Sequence, residues 1–293
     1  MEKRRIIIIS LLSIGIFVTG TFIYFAVNNQ ENPDNTKIGV VVSVAPEAEF
    51  VNAVGGDKVN VTVMVPPGAD PHTYEPLAEQ LKDVSQAKMY VEVGTPLEFE
   101  LNYMDKIRSI NPNMLIVNSS SGVNLIPNSA EHEEGADPHI WVSPKNAKIM
   151  VENIYQNLVQ IDPSNQEYYK KNRDNYIQKL DELDKNITQS LKGKENTNIL
   201  VYHPAWAYFC KDYHLNQISI ESGGKEPTPQ EIANIVDIAK KDNIKVIFVE
   251  PQYSPRSAEV IASEIGGQVI TVDDLSENYL DNMKKVETAF SSA

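Results

Sequence analysis

Cysteine is nearly absent from this chain. Cys210 is the only one among 293 residues, so no disulfide can form within it. No cysteine stands near the amino terminus, which excludes a lipid anchor on such a residue. Cys210 lies in the apolar run 206–210 and reads as a small buried hydrophobe. Basic residues are also scarce: 26 Lys and Arg face 40 Asp and Glu, a formal charge of −14. Nucleic acid is therefore an unfit partner, because neutralising phosphates needs clustered cations. An acidic chain instead attracts cations. Histidine is rare too, with five copies.

Long apolar runs are confined to one place. Residues 6–27 carry no charge, follow Lys3, Arg4 and Arg5, and precede a polar tether. As a helix they would span about 33 Å, close to the thickness of a bilayer core. Segment 1–35 thus reads as a membrane anchor or a cleaved signal with its tether, the anchor favoured. The basic flank keeps the amino terminus in the cytoplasm and places the remainder on the outer face of the membrane.

The remainder alternates strand and helix signals. Strand-like runs occur at 38–44, 59–65, 89–93 and 114–117, and again at 199–202, 217–220, 245–249 and 268–272. Many are continuous Val and Ile, as in parallel strands buried on both faces. Ser143-Pro144, Ser254-Pro255 and Thr228-Pro229-Gln230-Glu231 announce helix starts. Asp162-Pro163 opens a helix reaching about Leu191, with Tyr169, Tyr176, Leu180, Leu183, Ile187 and Leu191 at helical spacing. The expected fold is α/β. Two pseudo-symmetric lobes, 36–162 and 194–293, each hold a mainly parallel four-stranded sheet with its own core, joined by the long helix 163–193.

Three histidines and an aspartate follow apolar runs: His72, His139, His203 and Asp273, spaced by 67, 64 and 70 residues. Strand ends are where sites form in α/β folds. Three imidazoles and one carboxylate make a four-coordinate set for a divalent transition metal, zinc foremost. Glu250, after another strand, either orients a ligand histidine or caps a neighbouring loop. His132, in the acidic loop 129–135, could gather cations weakly. His214 reads as an exposed residue at a helix end.

Together the strings Val-Pro-Pro-Gly-Ala-Asp-Pro-His-Thr-Tyr-Glu-Pro, Asp-Pro-His-Ile-Trp-Val-Ser-Pro, His-Pro-Ala-Trp-Ala-Tyr-Phe, Phe-Val-Glu-Pro-Gln-Tyr-Ser and Val-Ile-Thr-Val-Asp-Asp-Leu resemble the TroA-like solute-binding proteins of zinc and manganese ABC importers. The resemblance runs from about residue 38 to 293. It implies two lobes joined by a long helix, one metal in the cleft, and ligand roles for His72, His139, His203 and Asp273. It also implies a monomer that captures Zn2+ outside the cell and delivers it to an ABC permease with its cytoplasmic ATPase. Mn2+ is the alternative cargo. Zinc-type relatives often carry a His-rich loop, whereas here that loop holds only His132. A zinc hydrolase would need Asp273 off the metal as a base. A metal-stabilised surface adhesin is the third reading. The transport reading makes the protein a binder and not an enzyme.

Overall fold

The computed structural model describes residues 37–127, 135–221 and 223–293. The amino-terminal anchor or signal segment and His132 lie outside them. Among the described residues no helix is long and apolar enough to cross a membrane.

Among the described residues, eight strands form two four-stranded sheets. The first contains β1 (Ile38–Val44), β2 (Val59–Val65), β3 (Met89–Glu92) and β4 (Leu115–Asn118), ordered β2-β1-β3-β4. The second contains β5 (Asn198–Val201), β6 (Asn216–Ser219), β7 (Val246–Val249) and β8 (Gln268–Thr271), ordered β6-β5-β7-β8. Within the two sheets every strand pairing is parallel, and the two orders correspond strand for strand. Val40 lies between Val61 on one side and Met89 on the other. The Val-rich centre of β1 and all of β7 are buried, as covered parallel strands require.

Helices α1 (Ala45–Gly55), α2 (Ala78–Gln86), α3 (Glu98–Ile110) and α4 (Pro144–Ile161) accompany the first sheet, and α5 (Gln166–Ser190) follows. The second sheet carries α6 (Ala207–Asp212), α7 (Pro229–Lys241), α8 (Arg256–Ile265) and α9 (Tyr279–Phe290). Two of the expected helix starts form as read. Ser143 caps α4 by accepting from the Asn146 N–H, and Thr228 makes a reciprocal box with Glu231. At Ser254-Pro255 the helix begins one residue later than expected, at Arg256. Asp162 accepts from Ser164, Asn165 and Tyr169 and closes a single 3-10 turn before α5 begins.

The sequence reading gave each lobe its own core; the packing differs. The largest apolar cluster runs from Val42 and Phe50 in the first lobe through Tyr176 and Leu180 of α5 to Trp206, Phe248 and Phe290 in the second. Residues 38–293 form one compact unit. The cause lies in the inner faces of α1, α5 and α9. Phe50 meets Tyr279 edge-on at 4.9 Å between ring centres, and the Tyr176 hydroxyl donates to Glu49 at 2.6 Å. Among the described residues, one face of the second sheet keeps a separate small core, around Leu200, Ile247 and Ile261.

The long helix is built as its spacing predicts, over 25 residues or about 37 Å. Tyr169, Tyr176, Leu180, Leu183 and Ile187 are buried, and Leu191 is buried at its end. Leu180→Ala should lower unfolding free energy by about 2–5 kcal/mol, whereas Lys179→Ala on the exposed face should stay within about 0.5 kcal/mol. Chemical denaturation of the two variants checks this contrast.

Candidate metal centre

The carboxyl ends of the strands carry the chemistry. His72 lies in the loop after β2, His139 between β4 and α4, and His203 just after β5. One ring nitrogen from each comes within 4.8 Å of the others. The Nε2 of His203 is 3.1 Å from that of His139 and 3.4 Å from that of His72.

Behind each ring stands a carboxylate. Glu98 Oε2 lies 2.8 Å from His72 Nδ1, Asp137 Oδ1 lies 3.0 Å from His139 Nδ1, and Glu221 Oε2 lies 2.9 Å from His203 Nδ1. An ionised carboxylate only accepts, so Nδ1 of His139 and of His203 carries the hydrogen and donates it, while His72 Nδ1 makes an ion-pair contact with Glu98. With all three rings neutral, each Nε2 then turns its lone pair toward the same point. Three lone pairs this close repel one another unless a cation stands among them. A tetrahedral zinc with Zn–N of about 2.0–2.1 Å would separate its nitrogens by about 3.3–3.4 Å, close to the spacing here.

Local sequence sets the two Asp-Pro-His turns. In each, the aspartate two residues before the histidine accepts that histidine's backbone N–H: Asp70 from His72 at 3.0 Å and Asp137 from His139 at 2.8 Å. The intervening proline fixes its own φ and narrows the turn. Gly94 takes φ 75° after β3, where a side chain would meet Asn118; its N–H donates to Glu100 at 2.9 Å as the chain turns toward Glu98. Trp141 packs edge-on against His139 at 5.5 Å, and Tyr253 stacks on His203 at 5.0 Å.

The electrostatics are uneven. Burial depresses His72, but the hydrogen bond and charge of Glu98, with Asp70 and Glu221, override it and raise its pKa to about 9. His203 is pushed well below its ordinary value by burial and then by the charges of His139 and His72. An empty trio therefore keeps a proton on His72 and a neutral ring at His203. Burial also raises Glu221.

The two remaining site candidates take other places. Asp273 is not among the converging ligand atoms. Its carboxylate accepts from the Leu275 N–H at 2.9 Å and feels the charge of Lys285. Its neighbour Asp274 is 5% exposed, accepts from Gln252 Nε2 at 2.7 Å, and is raised by burial against the opposing charge of His139. Glu250 does not reach an imidazole. It accepts the His203 backbone N–H at 3.2 Å and the Trp206 indole N–H at 2.9 Å, which is the loop-capping role. Burial, then Asp274, raises its pKa far above the carboxylate range.

Glu98, Asp137 and Glu221 escaped the sequence reading. Asp137 had a signal, the repeated Asp-Pro-His string. Glu98 and Glu221 lie 26 and 18 residues beyond their histidines, and nothing local marks them among many acids.

Residues 40–293 match the family described as ZnuA, zinc-uptake complex component A, periplasmic. The chain belongs to this family. It is 32% identical over 272 residues to the high-affinity zinc uptake system protein ZnuA of Bacillus subtilis, covering 85% of each chain. A crystal structure of ZnuA superposes with a TM-score of 0.83 at 37% identity, covering 88% of this chain and 99% of that one. The zinc-binding protein AdcA of Streptococcus pyogenes is 28% identical across 99% of this chain, which spans 59% of AdcA's length.

In the metal-free chain His72 should titrate near pH 9 by NMR, while His203 stays neutral at pH 6. The sign for stability follows. A raised His72 favours the metal-free fold fully below about 6.5, and that contribution disappears as pH rises through about 9.

Proposed function

We propose that this chain is the extracytoplasmic solute-binding component of a zinc importer. It captures Zn2+ in the cleft and passes it to an ABC permease driven by a cytoplasmic ATPase. The single observation that carries this reading is the convergence of three Nε2 atoms, each backed by a carboxylate on Nδ1. A carboxylate behind an imidazole fixes its tautomer and strengthens it as a donor. The relatives named for zinc uptake and zinc binding support the same cargo. Neutral imidazole nitrogens suit zinc, whereas manganese favours oxygen donors.

The fourth position falls to the Asp273–Asp274 pair, with Asp273 the ligand that the family strings imply. A site with four filled positions leaves no room for an activated water, so we read the protein as a binder and not a hydrolase. Segment 1–35 serves as its anchor or export signal, and the protein works as a monomer at the outer face of the membrane.

Three outcomes test this. Stripped with chelator and offered equimolar zinc and manganese, the full chain should retain one zinc and no manganese; retained manganese overturns the choice of metal. Glu221→Gln should weaken zinc binding about 10–100-fold, and Asp273→Ala should weaken it as well, measured by chelator competition. Because His72 must lose its proton before a cation docks, affinity should rise about tenfold per pH unit from pH 7 and level off near 9.

A further inference from the structure

The three histidine segments are not attached to the protein alike. The His72 loop hydrogen-bonds only within the first lobe. Asp70 accepts from the N–H groups of His72, Thr73 and Tyr74, and Gln80 accepts the Tyr74 hydroxyl while donating to the carbonyls of Val63 and Met64. Apart from the approach of the imidazole to His203, none of its hydrogen bonds among the described residues crosses to the second lobe. Its carboxylate partner, Glu98, is also the most open of the three: its side chain is 32% exposed, against 7% for Asp137 and 4% for Glu221.

The His139 segment belongs to the first lobe by sequence but is fastened to the second. The Tyr208 hydroxyl, on α6, donates to the Asp137 carbonyl at 2.9 Å and accepts the Ile126 N–H at 3.1 Å. It thereby closes the neck where Pro127 and Ala136 pair antiparallel and the Asp137 N–H donates to the Ile126 carbonyl. On the other side of His139, the Trp141 indole N–H donates to the Asp274 carbonyl at 2.7 Å. Ser143 donates to Asp212 of α6. Within the first lobe, the Thr95 hydroxyl donates to the Pro138 carbonyl and Asn146 Nδ2 to the Ile140 carbonyl, both at 3.1 Å. Tyr208 and Trp141 are both buried, so water does not compete for these bonds.

We infer that Tyr208 and Trp141 are positioning residues that fix His139 to the second lobe, so that His139 and His203 form a standing half-site and His72 is the ligand that engages last and leaves first. The division of the metal centre then runs between His72 and the other two histidines, not at the midpoint of the sequence. The inference rests on the zinc-binding reading above and deepens it.

Hydrogen–deuterium exchange on the full chain, with and without zinc, tests it. Segment 137–142 should be protected in both states, and segment 69–74 should gain protection only with zinc. Tyr208→Phe, which keeps the ring and removes the hydroxyl, should make 137–142 labile without zinc and speed zinc dissociation at least tenfold. His72→Ala should still bind one Co2+, more weakly, with a visible spectrum reporting the two remaining imidazoles. A merely structural Tyr208 would lower the melting temperature of the metal-free chain and leave the exchange contrast between the loops unchanged. That result, or equal lability of both loops without zinc, overturns the inference. Absence of stoichiometric zinc in the unmodified chain would instead overturn the zinc reading. The metal-free exchange pattern would still decide whether His139 is fastened.

Discussion

Everything in the cleft depends on one electrostatic constraint: three imidazole lone pairs are aimed at a common point and held there against their own repulsion. Each ring's Nδ1 is held against a carboxylate, and two of those carboxylates are almost wholly buried. Free rings would turn away from one another. The carboxylates prevent this and supply negative charge on the far side of each ring from a bound dication. In the metal-free chain the same charge draws a proton onto His72, which partly relieves the repulsion.

Such a site needs a scaffold that does not collapse when it empties. Parallel strands in matching order bring their carboxyl ends, and the loops after them, to the cleft. The helix α5 shares one apolar core with both lobes, so tilting one lobe against the other disturbs buried contacts such as Phe50 on Tyr279. Interiors packed to this density resist continuous deformation. Movement is therefore easiest where hydrogen bonds do not cross, at the loop that carries His72. Glu250 contributes to the same rigidity by holding the backbone at His203 and the indole of Trp206 together.

Much of this was legible in the sequence. Apolar runs marked all eight strands, and where a strand is covered on both faces, as β7 is, a parallel sheet leaves little choice of residue. The stripe from Tyr169 to Leu191 gave the long helix and its buried face, because helical spacing and apolar character coincide there. The three histidines stood out through scarcity and the repeated Asp-Pro-His string. What stayed hidden depends on tertiary approach. Glu98 and Glu221 meet their histidines only once separate strand ends are brought together. Within Asp273-Asp274, no local rule tells which carboxylate turns inward. The shared core was also invisible, since Tyr279 and Phe50 are 229 residues apart.

The most direct test of the converging site is X-ray absorption at the zinc edge on the loaded chain. The geometry predicts three imidazole nitrogens at about 2.0–2.1 Å, with the multiple-scattering pattern of histidine, and one oxygen. Two or fewer imidazoles, or a sulfur neighbour, would contradict the convergence of His72, His139 and His203 on one ion.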